Sequence, residues 1–196
     1  MKTFNKTLIA AATITTFGLA AAPAAVSLEA SASLATSYLW RGLELGSGDA
    51  ALAVDLSGST GAVSYGLWVS SGDETSTEYD IYASYDGEVN GIGYTIGYAS
   101  YNYPTLGVGF DDAAEYVYGL SYGPASVTRF DEKGGDGEYT VVGYEAGAFS
   151  FAYGDHDAVD LQHFDVSYAV NDSLSVTVSK MDDADATVVA TYSLPF

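Results

Sequence analysis

Apolar and polar residues alternate with a period of two along almost the whole chain after residue 25. A period of two places successive side chains on opposite faces of a β-strand. No segment shows a helical period, so the pattern predicts an all-β chain of about 12 strands. The predicted strands are 26–40, 50–56, 63–70, 78–86, 92–99, 115–122, 126–130, 138–146, 149–154, 164–170, 174–179 and 186–196. In 126–130 and 138–146 the phase of the alternation is ambiguous.

The connections between these strands alternate between short and long. The short ones are 57–61, 87–91, 123–124, 147 and 171–172. The longer ones are 42–48, 72–76, 102–113, 131–137, 155–161 and 182–185, and most of them are acidic. Tight turns at one end of a sheet and longer loops at the other are typical of outer-membrane barrels, which close an even number of antiparallel strands. The pattern predicts a transmembrane, up-and-down antiparallel β-barrel.

The first 24 residues have the layout of a signal peptide. Lys2 and Lys6 precede a mostly apolar stretch, and Ala22-Pro23-Ala24 fits a cleavage site. A membrane anchor is the alternative, but the stretch is short and a strand pattern follows it at once. We therefore expect a signal peptide over 1–24 and a barrel over 25–196. The chain contains no cysteine, which excludes a lipid-anchored N-terminus and any disulfide.

The charge balance is strongly acidic. Cleavage would leave Arg41, Arg129, Lys133 and Lys180 against 26 acidic residues. Nucleic acid is excluded as a partner, because phosphate would be repelled. Acidic chains can also be disordered, but the regular alternation argues against disorder here.

A soluble barrel with an apolar interior would show the same alternation. About 12 strands, however, enclose more space than one layer of inward side chains fills. The polar face consists mainly of Gly, Ala, Ser and Thr, whereas a soluble exterior usually carries charges of both signs. Aromatic residues also lie near strand ends on the apolar face, as in the girdles of membrane barrels. These are Tyr38, Trp40, Tyr65, Tyr79, Tyr85, Tyr98, Tyr122 and Tyr192.

The chain ends on a strand whose apolar face carries Tyr192, Leu194 and Phe196. This arrangement resembles the terminal signature that outer-membrane proteins present to the barrel-assembly machinery. The three residues are our candidate assembly signal.

Three short segments resemble the TorF family of porins. Thr36-Ser37-Tyr38-Leu39-Trp40-Arg41-Gly42 resembles that family's first strand, and Tyr98-Ala99-Ser100-Tyr101-Asn102-Tyr103-Pro104 resembles the end of a middle strand. The segment 115–123 resembles the strand that follows it. Shorter middle loops and extreme acidity set this chain apart. The resemblance implies a small barrel with a pore role, and it transfers neither a substrate nor catalytic residues.

The polar face of the predicted strands carries several carboxylates and one firmly placed cation, Arg41. Too few cations are present to pair these acids in a dry interior, and unpaired buried carboxylates are very costly. The lumen is therefore expected to be wet or filled by counter-cations. The candidate pore-lining residues are Arg41, Asp55, Glu78, Asp80, Asp86, Glu115 and Asp165.

Other chemistry has weaker support. His156 and His163 flank a loop rich in aspartate, but the spacing matches no metal motif and a hydrated loop is the simpler interpretation. The acidic clusters Asp111-Asp112 and Asp182-Asp183-Asp185 lack a Ca²⁺-loop pattern, and no nucleophile-elbow sequence is present. We expect no catalytic residues, no resident metal and no cofactor.

These observations predict a passive, cation-preferring channel for ions or small solutes in the outer membrane of a Gram-negative cell. Its expected partners are membrane lipid, lipopolysaccharide and the assembly machinery. The alternative is a structural or adhesive barrel with a blocked lumen, in which the acidic loops would be functional.

Overall fold

The computed structural model describes residues 26–71 and 77–196. Twelve antiparallel strands form one closed barrel, in which each strand pairs with the barrel strand before it and the last pairs with the first. They are β1 (Ser27–Ala35), β4 (Ala51–Thr60), β5 (Val63–Ser70), β6 (Glu78–Val89), β7 (Ile92–Tyr103), β8 (Val108–Tyr122), β9 (Ala125–Glu132), β10 (Glu138–Ala146), β11 (Phe149–His156), β12 (Leu161–Ala169), β13 (Leu174–Met181) and β14 (Thr187–Pro195). The short strands β2 (Leu39–Trp40) and β3 (Leu43–Glu44) form a separate hairpin. The predicted fold and the strand number of the barrel are confirmed.

The predicted signal peptide over residues 1–24 lies outside the described residues and stays a prediction. No helix within the described ranges has the length and hydropathy needed to cross a membrane. The one helical segment there is a 3₁₀ turn at Pro104–Leu106.

The two ends of the barrel differ as expected. One end, the turn end, carries the connections 61–62, 90–91, 123–124, 147–148 and 170–173, and both termini of the barrel. At the turn between β6 and β7, Asn90 and Gly91 both have positive φ (55° and 79°), as a two-residue hairpin of type I′ requires. The other end, the loop end, carries the connections 36–50, 104–107, 133–137, 157–160 and 182–186, together with the end of β5 and the start of β6.

Three predicted connections were wrong. The segment 102–113 is mostly strand, because β7 and β8 continue as a paired extension at the loop end. The segments 57–61 and 87–91 are also largely strand, and their turns are only two residues long. Gly, Asn and Pro residues suggested turns in these segments, but cross-strand backbone pairing extends the ladder through them.

The register separates the side chains into an outer and an inner face. Each of the twelve barrel strands contributes at least one large, exposed apolar side chain to the outer face, for example Leu52, Ile96 and Val188 at 53%, 57% and 62% exposure. Monomeric soluble proteins rarely expose continuous apolar patches of more than a few hundred Å². We call this ring of outward apolar residues the apolar belt.

The prediction that aromatic residues lie near strand ends on the apolar face holds in part. Tyr65, Tyr79, Tyr85, Tyr98, Tyr122 and Tyr192 share the outer face with the belt by register. Tyr38 and Trp40 do not, because β1 ends at Ala35 and the chain then turns into the barrel. The prediction of one strand through Trp40 was wrong, since alternation in the sequence continues across a break in the strand.

Pairing also settles the phase of β9 and β10. Val127 and Val142 pair on the outer face, whereas Phe130 pairs with Tyr139 on the inner face. With Val117, Val141 and Ala152, these two rings form a small apolar cluster inside the barrel. Aromatic residues therefore line part of the lumen.

Candidate functional site: the lumen and its inward hairpin

The connection between β1 and β4 folds into the barrel. Within it, Trp40 pairs with Leu43 across a two-residue turn at Arg41 and Gly42. Both turn residues have positive φ (49° and 83°), the geometry of a type I′ turn. Tyr38, Leu39 and Arg41 are each less than 9% exposed. We call residues 36–50 the inward hairpin.

Arg41 lies at the tip of the inward hairpin and contacts the opposite wall. Its Nη1 and Nη2 donate to the two carboxylate oxygens of Glu115, at 2.8 and 2.6 Å. Nη2 also donates to the Tyr101 hydroxyl at 3.2 Å, and that hydroxyl donates to Glu115 Oε2 at 2.6 Å. A bidentate pair of this kind fixes both the position and the plane of the guanidinium.

Three aromatic rings surround the same guanidinium. Arg41 Cζ lies 4.2 Å from the ring centre of Phe130, 4.6 Å from that of Tyr139 and 4.5 Å from that of Trp40. Each ring presents a negative face to the cation. The charge of Arg41 is therefore neutralised by one carboxylate and shielded by the rings.

The two histidines support this arrangement from the inner face. His156 Nε2 donates to the Arg41 carbonyl oxygen at 2.9 Å. The Tyr139 hydroxyl donates to His163 Nε2 at 2.9 Å, and His163 Nδ1 donates to Asp165 at 3.1 Å. Both histidines are buried, so the expectation of a hydrated histidine loop was wrong. The described residues contain no group of three or more His, Cys, Asp or Glu that could hold a metal ion.

A second contact holds the base of the hairpin. The hydroxyls of Tyr38 and Tyr103 donate to the two oxygens of Glu78, at 2.6 and 2.7 Å. Glu78 is 3% exposed, and Asp80 follows it on the inner face with a buried oxygen, Oδ1. The inward hairpin is thus attached to the wall at two acidic positions, Glu78 and Glu115.

The remaining acids lie on the inner face and accept from neutral hydroxyls. Asp86 accepts from Thr95, Ser84 and Ser64 at 2.7, 2.9 and 3.3 Å. Asp55 accepts from the Tyr82 hydroxyl at 2.8 Å. Gly66 lies beneath that tyrosine ring, and a Cβ there would collide with it.

All seven candidate pore-lining residues therefore point inward: Arg41, Asp55, Glu78, Asp80, Asp86, Glu115 and Asp165. The structure joins Arg41 directly to Glu115. Glu78 and Asp80 are neighbours on the inner face of β6, whereas Asp55, Asp86 and Asp165 lie elsewhere on the inner wall. Sequence reasoning missed Tyr38, Phe130 and Tyr139 as parts of the site. Gly42 was the available signal, because glycine readily adopts the positive φ that a tight hairpin turn requires.

Among solved structures, the KdgM porin in complex with disordered oligogalacturonate is similar in fold. The TM-score is 0.51 at 9% sequence identity, over 87% of this chain and 98% of that one. This chain shares the KdgM barrel fold. Two mutants of the Rh. blastica porin match with TM-scores of 0.42 and 0.41 at 17% identity, over 74% of this chain and 55% of theirs. Neither a protein-family profile nor a curated protein sequence matches the chain. The resemblance to the TorF family therefore stays a prediction.

Gly42 offers a direct test of the inward hairpin. A Cβ at this position would overlap the His163 ring, and the backbone φ of 83° disfavours any other residue. We expect Gly42→Ala to displace the hairpin tip and separate Arg41 from Glu115, while the barrel still forms. Trypsin cleavage after Arg41 in the folded, detergent-solubilised protein is the measurement, because the buried arginine is protected in the parent chain. Equal protection in both proteins would show that the tip tolerates the methyl group.

Proposed function

We propose that this protein is a channel for small solutes in the outer membrane. One observation carries the proposal: a closed barrel presents an apolar belt outward and carboxylates inward. Lipid can cover the belt, and closure leaves no unpaired sheet edge in the hydrocarbon, where a backbone group without a partner is costly. The acidic interior then faces water.

We further propose that the channel prefers cations. Glu78, Asp86 and Asp55 accept hydrogen bonds from neutral hydroxyls, and a neutral donor does not cancel the charge of a carboxylate. In the described part of the chain, Arg41 is the single Lys or Arg on the inner face, and Glu115 already pairs with it. An excess of fixed negative charge raises the local cation concentration and excludes anions.

The charge of the lumen also indicates a solute unlike that of KdgM. The KdgM structure contains an oligogalacturonate, whose sugar units each carry a carboxylate. Among the described residues, inward acids outnumber inward cations, and this excess of negative charge would repel such a polyanion here. We expect small cations or neutral solutes instead.

A blocked, structural barrel is the second candidate. The inward hairpin favours it, because Tyr38, Leu39 and Arg41 leave less than 9% of their surfaces exposed.

Catalysis has less support. Asp165, His163 and Tyr139 form a hydrogen-bonded series, but the tyrosine at its end is 5% exposed and lies against Arg41.

Planar-bilayer recording separates these functions. We expect discrete conductance steps and a reversal potential in a KCl gradient that favours K⁺ over Cl⁻ several-fold. Asp86→Asn should reduce this preference, since Asp86 does not contact the inward hairpin. Asp172→Asn, in an exposed turn, is the matched control and should leave it unchanged.

Each contrary outcome has a definite meaning. An anion-selective potential abolished by Arg41→Ala would overturn the cation preference. Absence of conductance from correctly folded protein would favour the structural barrel. Glu78→Gln is less suitable as a test, because it also releases Tyr38 and loosens the hairpin.

The outer-membrane location, with lipid, lipopolysaccharide and the assembly machinery as partners, is part of the same proposal. Tyr192, Leu194 and Phe196 all lie outward and exposed, and β14 closes the barrel against β1.

Deleting Phe196 should lower the amount of protein in the outer membrane, because the closing strand loses its terminal aromatic side chain. Heat-dependent gel mobility of membrane fractions measures folded protein. Unchanged levels would show that Phe196 is not the assembly signal.

A further inference from the structure

Four wall residues surround the guanidinium group of Arg41. We propose that Tyr101, Glu115, Phe130 and Tyr139 form a binding site for the guanidinium group of a small solute, and that Arg41 occupies this site as a tethered substitute. We call the four residues the guanidinium cradle. Binding of a guanidinium group at the cradle does not depend on transport. The effect of that binding on conductance rests on the proposed channel function.

The wall builds the cradle without help from the inward hairpin. Its residues come from four consecutive strands, β7 to β10, and each lies on the inner face by register. The rings of Phe130 and Tyr139 pack against each other with centroids 5.8 Å apart. The Tyr101 hydroxyl orients the Glu115 carboxylate. The site is therefore preorganised by contacts within the wall.

The geometry selects guanidinium over ammonium. Glu115 offers two oxygens that Nη1 and Nη2 reach at 2.8 and 2.6 Å, the parallel fork that a planar guanidinium makes. The rings of Phe130 and Tyr139 lie 4.2 and 4.6 Å from Cζ, within cation–π range. An ammonium ion is a compact point charge that cannot form this planar fork, and it is more strongly hydrated.

Arg41 reaches the cradle on a connection that is anchored at both ends. The inward hairpin leaves β1 and returns to β4, and its tip turn places Arg41 at a positive φ. A tethered group acts at a high effective concentration, so a free solute must compete with Arg41 in the parent protein. A guanidinium solute that wins this competition frees the hairpin tip and widens the lumen.

The test is to empty the cradle and offer the free ion. Folded Arg41→Ala protein in detergent micelles is titrated calorimetrically with guanidinium chloride or methylammonium chloride at millimolar, non-denaturing concentrations. We expect one guanidinium ion to bind Arg41→Ala at least about tenfold more tightly than it binds the parent, where the tethered group competes. Methylammonium should bind more weakly, and Arg41→Ala/Glu115→Gln should lose the guanidinium site.

Arg129→Ala is the matched control, because Arg129 lies on the outer face and pairs with Asp131 and Glu138. It should behave like the parent. If Arg41→Ala does not fold alone, its refolding yield with each cation becomes the measurement, since a ligand that fills the cradle stabilises the folded state. Equal binding or equal rescue by the two cations would overturn the cradle.

Conductance separates the two proposals. In bilayers, Arg41→Ala should conduct more than the parent, and guanidinium should reverse part of this increase. A barrel that binds guanidinium but never conducts would leave the cradle standing and refute the channel. A barrel that conducts without selective guanidinium binding would refute the cradle and leave the channel standing.

Discussion

Replacing Glu115 with glutamine should destabilise the folded state by about 3–5 kcal/mol, the usual cost of leaving a buried charge without its partner. Arg41 would lose its one carboxylate partner while it remains between the rings of Phe130, Tyr139 and Trp40. Urea unfolding from lipid vesicles measures the change. The loss of stability cannot exceed the free energy of moving the inward hairpin into water, because the hairpin would then leave the barrel. If the measured loss is smaller than expected, Arg41 should therefore be exposed to trypsin.

A double variant separates this effect from loss of packing. Arg41→Gln/Glu115→Gln removes both charges and should recover much of the lost stability, since no uncompensated charge remains. Glu88→Gln is the control: it removes an exposed carboxylate near the turn end and should change stability by no more than about 0.5 kcal/mol. If the double variant were as unstable as Glu115→Gln alone, the Arg41–Glu115 ion pair would make no specific contribution to the stability of the folded state.

Replacing Ile96 with lysine should cost about 2–4 kcal/mol, the penalty for lysine near the bilayer midplane on a lipid-facing strand. Ile96 lies in the middle of β7, 57% exposed on the outer face, between Tyr85 and Tyr118 of the neighbouring strands. Urea unfolding from vesicles measures this loss, and heat-dependent gel mobility reports the folded fraction.

Asp172→Lys introduces the same side chain in an exposed turn, outside the apolar belt. Because an ammonium there stays in water, we expect almost no penalty. Equal stability of the Ile96 and Asp172 variants would mean that the belt is not covered by lipid, and the membrane proposal would fail.

The sequence alone was sufficient for the barrel. Alternation with period two assigned most side chains to a face, because a strand offers only two faces and the pairing register preserves them. The six strand acids of the candidate pore lining therefore fell on the correct side before any strand was paired. The difference between the turn end and the loop end was predictable for the same reason, since successive hairpins alternate between the two ends of an up-and-down barrel.

Only the tertiary structure decided what fills the lumen. Alternation continues from Leu34 to Trp40 without a break, so the pattern could not show that the chain leaves the wall after Ala35. Arg41 meets Glu115 across 74 residues, and His156 reaches the Arg41 carbonyl across 115. Contacts between such distant segments depend on how the closed wall places them, and no local pattern encodes them. Period and turn chemistry act between neighbours in the chain and determined the wall, whereas closure of the barrel determined which side chains meet inside it.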